Sequence, residues 1–360
     1  MRTPLLALLV LALCALAADQ PAEVRISIET YTGQFVDWSG QAAEEEPGVD
    51  QSTDLTVVFS TPENPPEGAT ASLAVPASLG HGAVLPLTVI SVEDAEDGEG
   101  IGDDFEGGDV AGEDGDPWVE DVVDVPEGMP EMRIYYGQAA EPHVIQGFEW
   151  RMSELTGDPQ LKNLLEILEG ESNVQGNAYW WPDYEAGQTT NVAPDVQMAG
   201  EYALTTSFAG NAKVTVPAGV RALGPFEWLA PALNEPPDWG QPVTLRWRAP
   251  AGTRAVAVMV SGQTQEGDDV LWTSVRGEPV TMNGVELTTD QVDTYLAGGW
   301  LLPADTTSVT VPGGIFTDCG TMSITLTAWG PGAQNLESTP RAIVQTRSYF
   351  NIHVVAQGVG

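Results

Sequence analysis

Positive charge is what this chain has least of. Only 13 residues are Lys or Arg against 52 Asp and Glu, and lysine occurs twice, at Lys162 and Lys213. A formal net charge of −39 repels phosphate backbones and anionic lipid surfaces, which excludes nucleic acid and membrane-surface partners. Cysteine is nearly absent too. Cys14 falls in the N-terminal apolar run, so Cys319 alone remains beyond it and no intrachain disulfide can form there. Cys319 precedes an alternating run and reads as a small buried residue, because a nucleophilic thiol needs a base and an electropositive setting that are not nearby. No segment approaches the roughly 20 apolar residues a membrane-spanning helix requires. The three histidines, His81, His143 and His353, are widely spaced. No His-x-x-x-His pair, Cys-x-x-Cys pair, Gly-x-Ser-x-Gly elbow or phosphate-cradling glycine loop occurs.

What is present begins with MRTPLLALLVLALCALA. Arg2 supplies a positive start, Leu5 to Leu16 an apolar stretch, and Ala15-Leu16-Ala17 a small-x-small pattern. This is the pattern of an export signal, with cleavage expected before Ala18 and a secreted, periplasmic or cell-surface destination. Leu13 stands where a lipoprotein signal wants a small residue before its cysteine, so Cys14 reads as part of a discarded segment. The absence of any Asn-x-Ser/Thr acceptor fits a bacterial origin.

Strand-like alternation dominates the remainder: Val24 to Ile28, Leu55 to Phe59, Val84 to Val92, Val243 to Trp247, Ala255 to Val260, Met322 to Trp329 and Tyr349 to Val355. The 39 glycines and 27 prolines punctuate these runs as turns. A phrase recurs as Val123 to Met129, Val214 to Val220 and Val309 to Ile315, with a looser copy at Leu73 to Leu79. In each, Pro ends an alternating strand and small residues turn the chain. The spacing between the three closer copies is that of β-sandwich domains. The fold class expected is all-β: tandem antiparallel β-sandwich domains with one or two short helices. The boundaries expected are 1–17 signal peptide, 18–92 N-terminal β region, 93–128 acidic low-complexity linker or loop, 129–223 middle β-rich domain, and 224–360 C-terminal sandwich. A leucine stripe predicts a helix over 159–169, and a second short one falls at Thr289 to Leu296.

From Phe226 onward the strands FEWLAPAL, PVTLRWRAP, AVAVMVSG, DVLWTSV, TSVTVPGG, MSITLTAWG and SYFNIHVVAQ carry a Trp in the second strand, Trp247. They also carry a Val-Pro-Gly hairpin before a strand ending Ala328-Trp329-Gly330. This order resembles a fibronectin type III or immunoglobulin-like sandwich over Gly224 to Gln357, departing from it in the insertion Gly277 to Pro303. The resemblance implies a fold able to stand alone, with Trp247 and alternating residues of Val256 to Val260 in its core. It implies no catalytic residues.

Two clusters are candidate sites. Between Glu93 and Glu127, 16 of 35 residues are acidic and none is basic. Such carboxylates suit hard cations, which would place calcium on Glu113, Asp114, Asp116, Glu120 and Asp121; the spacing is not that of an EF-hand loop, and a solvated tether with no cofactor is the preferred reading. The second cluster is Tyr179, Trp180, Trp181, Asp183 and Tyr184. Flat rings beside a carboxylate suit stacking on a glycan, while packing of both indoles at an interface is the competing reading.

The function expected is that of an exported non-enzymatic surface or periplasmic protein, binding or spacing, whose partner is a glycan or another envelope protein. The alternatives are a glycan-active secreted enzyme with residues 129–219 as its catalytic part, and a purely structural envelope component.

Overall fold

The computed structural model describes residues 22–38, 49–62, 65–90, 131–137, 143–146, 177–182, 190–274 and 287–356. In chain order the first half forms β1 (Glu23–Trp38), β2 (Val49–Thr61), β3 (Ala71–Ala74), β4 (Val84–Ile90), β5 (Glu131–Tyr136), β6 (His143–Gln146), β7 (Asn177–Trp181), β8 (Gly200–Thr206) and β9 (Asn211–Val216). The second half forms β10 (Glu227–Ala230), β11 (Val243–Arg248), β12 (Ala255–Thr264), β13 (Asp269–Thr273), helix α1 (Thr289–Gly298), β14 (Leu302–Pro303), β15 (Ser308–Val311), β16 (Cys319–Trp329), β17 (Ala333–Asn335) and β18 (Arg341–Ala356). The protein is an all-β sandwich. The helix expected over 159–169 and the acidic segment lie outside the described residues.

One sheet runs in the order β6-β5-β13-β12-β16-β18-β1-β2-β7-β4-β3-β8-β9, and β10-β11-β15 form a second. Most ladders are antiparallel, but β1 and β18 pair in parallel along all 16 residues, Glu23 beside Arg341 through Trp38 beside Ala356. A parallel partner needs a long connection, and here almost the whole chain separates the two strands.

Two hydrophobic cores hang on this central pair. The first gathers Val24, Ile26 and Ile28 of β1 with Leu55, Val57 and Phe59 of β2, Leu73, Tyr179, Tyr202 and Val214, and takes Ala342 and Val344 from the start of β18. The N-terminal region and the β7–β9 part of the middle region therefore share one core. β2 pairs β7, and β3 pairs β8. The sheet curls until Asn335, in β17, donates its Nδ2 hydrogen to the Lys213 carbonyl of β9 (2.9 Å).

The second core is a two-sheet sandwich. Val243, Leu245 and Trp247 of β11 face Val256, Val258 and Val260 of β12, Ile324 and Leu326 of β16, and Phe350, Ile352 and Val354 from the end of β18. Trp228 of β10 stacks on Phe350 across the sheets (5.7 Å, 15°). Trp247 is fully buried, as its place in an alternating strand requires. Burying each such side chain contributes about 1.5–3 kcal/mol. Val36 of β1 also enters this core, so the stretch 224–357 draws on a strand outside itself.

Strand β12 is buried on both faces. Ala255 and Ala257, opposite the valines, are small enough to admit α1, which packs Val292 there with Leu287, Leu301 and Trp329. The helix starts with a reciprocal cap: Thr288 Oγ1 accepts from the Gln291 amide, and Gln291 Oε1 accepts from the Thr288 amide. Gly299, at φ +77°, ends it.

The recurring Val-Pro phrase has a shared local outcome at Val214 to Val220 and Val309 to Ile315. Strands β9 and β15 end at Val216 and Val311, directly before Pro217 and Pro312. Gly219 and Gly314 then take φ near +88°, which a Cβ would oppose.

Between the cores lies a polar waist of Thr30, Thr32, Thr53, Thr346 and Ser348, all buried. The connection from β9 to β10 crosses it and is held there by its backbone at Leu223.

Candidate functional site

The aromatic cluster of β7 points inward. Tyr179 is fully buried and Trp181 nearly so, at 0% and 4% exposure. The Tyr179 ring lies 5.6 Å from Phe59 and 5.7 Å from Phe208, and Trp181 meets His81 edge-on at 4.9 Å. Neither ring offers a free face to a ligand. The Trp180 side chain lies outside the described residues, as do Asp183, Tyr184 and the whole set Glu113, Asp114, Asp116, Glu120 and Asp121. Among the described residues no group of three or more His, Cys, Asp or Glu is placed to hold a metal ion.

Exposed aromatic surface occurs instead on β1. Tyr31 is 36% and Phe35 52% exposed, on the face that turns away from both cores. The parallel register sets Tyr31 beside Tyr349, Gly33 beside Asn351 and Phe35 beside His353 on β18. On the other side β2 places Asp54 beside Glu29, Ser52 beside Tyr31 and Asp50 beside Gly33. The tyrosine ring lies along the strand over Gly33, where a Cβ would come within 2.6 Å of the Tyr31 hydroxyl and make the exposed ring swing aside. Strand rise puts Tyr31 and Phe35 about 13 Å apart on one side of the sheet.

The floor of this face is polar and well bonded. Arg347, 4% exposed, pairs through Nη2 with Glu29 and lies over the Tyr349 ring at 5.3 Å. Gln345 donates to Ser27 (2.9 Å), Ser323 to Asn351 Oδ1 (3.0 Å), and Asn351 Nδ2 to Thr325 (3.2 Å). On β2, Asp54 accepts from Thr190 (2.5 Å) and Asn191 (3.1 Å). Asp50, by contrast, is exposed at the rim. Helix α1 covers the same sheet face over Ala255, Ala257 and Trp329, leaving the β1 rings beyond it exposed. Side chains carried on strands locked by ladders on both sides form a pre-set surface.

A second charged cluster joins β5 to the β12–β13 turn. Arg133 donates to Asp268 (2.6 Å) and lies 3.6 Å from Asp318, which raises its pKa further above neutrality. Asp268 closes the turn through its amide, which donates to Thr264 Oγ1 (3.0 Å). Beside it, burial raises the Asp269 carboxyl and pushes the Cys319 thiol up to about 12. A thiol so protonated is no nucleophile at neutral pH, and the cluster fastens strands together.

The signal for the exposed face is the spaced trio Tyr31, Gly33 and Phe35, which stands out of phase with Val24, Ile26 and Ile28 and so falls on the opposite face of the strand. It is weak because both ring positions also fit an ordinary half-buried strand. A scan of known protein families finds none that matches, and a search of curated proteins finds no match. Among solved structures, the Fcho1 Mu homology domain of Danio rerio with bound Eps15 peptide is similar at 12% identity and TM-score 0.22, covering 95% of this chain and 100% of that one. A TM-score of that size carries no argument about what this chain does.

Proposed function

We propose that the chain is an exported, non-enzymatic binding protein of the cell envelope, with the second core as its fibronectin III-like sandwich and the Tyr31–Phe35 face as its contact surface. The observation that carries the reading is the pair of exposed rings on one face of β1, on the strand that joins both cores. Two aromatic rings exposed on one face of a rigid sheet suit a contact site, since aromatic rings contribute most to such contacts. The sandwich supplies rigidity, and the cleaved signal supplies the destination.

Two measurements test this. Expressed with its own first 21 residues in a bacterial host, the protein should be recovered outside the cytoplasm with Ala18 at its N-terminus. An intact Met1 in the cytoplasm would sink the export half. Purified wild type should be retained by washed cell envelopes and leave their polymers unchanged in mass, whereas Tyr31→Ser/Phe35→Ser should not be retained. Equal retention of both proteins would remove this face as the contact surface.

A further inference from the structure

We propose that the Tyr31–Phe35 face takes an extended basic segment of a partner protein, its Arg or Lys side chains stacking on the two rings and meeting Asp50 beside them. The inference rests on the binding reading above and names the chemistry of the partner. Charge complementarity decides it. The chain carries −39 overall, and the exposed Asp50 sits opposite Gly33, the residue over which the Tyr31 ring lies. The cation nearest the rings in the register, Arg347, is paired with Glu29, so it does not offset Asp50. An anionic partner is repelled by this field, and a neutral one gains nothing from it.

The rings favour the same cation. The faces of Tyr and Phe attract guanidinium and ammonium groups, and the structure uses that contact once already, with Arg347 over Tyr349 at 5.3 Å. Spacing sets the register. In an extended segment the side chains on one side recur every second residue, so residues i and i+4 stand about 13 Å apart, the separation of Tyr31 and Phe35. Residue i+2 then falls over Gly33, where the Tyr31 ring lies and Asp50 stands opposite in the register. A segment with basic residues at alternate positions therefore presents its cations to the rings and the carboxylate along one side.

The test uses a fluorescent peptide of alternating Arg and Gly, with Gln-Gly and Glu-Gly peptides of equal length as controls, read by anisotropy against the full-length protein. Wild type should bind the Arg-Gly peptide, less tightly as salt rises, and should ignore both controls. Tyr31→Ser/Phe35→Ser keeps the net charge and should bind about tenfold more weakly, as expected for two lost cation–ring contacts. Asp50→Asn, a rim substitution that leaves the fold intact, should also weaken binding several-fold. Unchanged affinity in both variants would overturn the proposal, since attraction would then come from net charge alone. Equal binding of the Gln-Gly peptide would overturn it as well. If the ring variant loses envelope retention while wild type ignores the Arg-Gly peptide, the basic-partner inference fails and the binding reading stands. If neither measurement responds to the rings, both fail.

Discussion

Thr30 and Thr346 hold the two backbone groups of a single residue, Leu223. The Thr30 hydroxyl donates to the Leu223 carbonyl (2.6 Å) and the Thr346 hydroxyl accepts from its amide (3.0 Å). Thr30 lies on β1 and Thr346 on β18, so the two strands that span both cores also grip the connection between them. All three residues are buried, and water cannot replace a lost partner cheaply there. Thr30→Val and Thr346→Val should each destabilise the protein by about 1–3 kcal/mol, because each leaves a buried backbone group unpaired. Urea unfolding checks this; two silent substitutions would show that the waist carries no strain-bearing bond.

β18 is paired with β1 along its whole length, so a fragment covering 224–357 has an open sixteen-residue edge. Such an edge invites association with another chain. The fragment should aggregate or melt well below the intact protein, and a covalently linked copy of residues 22–38 should restore a cooperative transition. Equal melting of fragment and whole protein would show that the second core does not need β1.

Trp247 lies between the sheets of the second core with no exposed surface. Replacing it with Ala removes one of the largest side chains there and should cost about 3–5 kcal/mol, through lost burial and the cavity left behind. Chemical denaturation of the full-length variant measures it.

Burial pushes the Cys319 thiol from its ordinary value near 9 up to about 12. The folded state therefore favours the protonated thiol, and the stability this gives is full below pH 9 and lost as pH rises towards 12. Native protein should react slowly with a thiol reagent at pH 8 and at once after unfolding. Cys319→Ala should flatten the loss of stability between pH 9 and 12. Rapid labelling of native protein would contradict the buried placement.

A net charge of −39 makes the compact state self-repelling when screening is weak. The screening length falls from about 30 Å near 0.01 M salt to about 3 Å near 1 M, so repulsion across a lobe fades over that range. The melting temperature should rise steadily with sodium chloride, which scanning calorimetry would show. A flat response would mean that the carboxylates are compensated locally.

Local pattern revealed the strands better than their neighbours. Val243 to Trp247 and Ala255 to Val260 alternate, and both are strands with the expected side chains inside. Alternation fixes which residues share a face but not which face meets a core. Tyr179 and Trp181 share one by sequence, and only the pairing of β7 with β2 and β4 turns that face inward. The same pattern in Tyr31, Gly33 and Phe35 turns outward because the opposite face of β1 carries Ile26 and Ile28 into the first core.

The sequence by itself determined an acidic, cysteine-poor chain whose period-two apolar pattern and Gly-Pro punctuation admit little but strands. Composition acts on the whole molecule, and strand period acts within a few residues, so both can be read along the chain. Tertiary structure alone decided that the first and last strands lie side by side, that two cores share them, and that Tyr31 and Phe35 face solvent. Those outcomes depend on contacts such as Ser27 with Gln345, 318 residues apart, where no local propensity records the partner and only the burial of both strands together selects it.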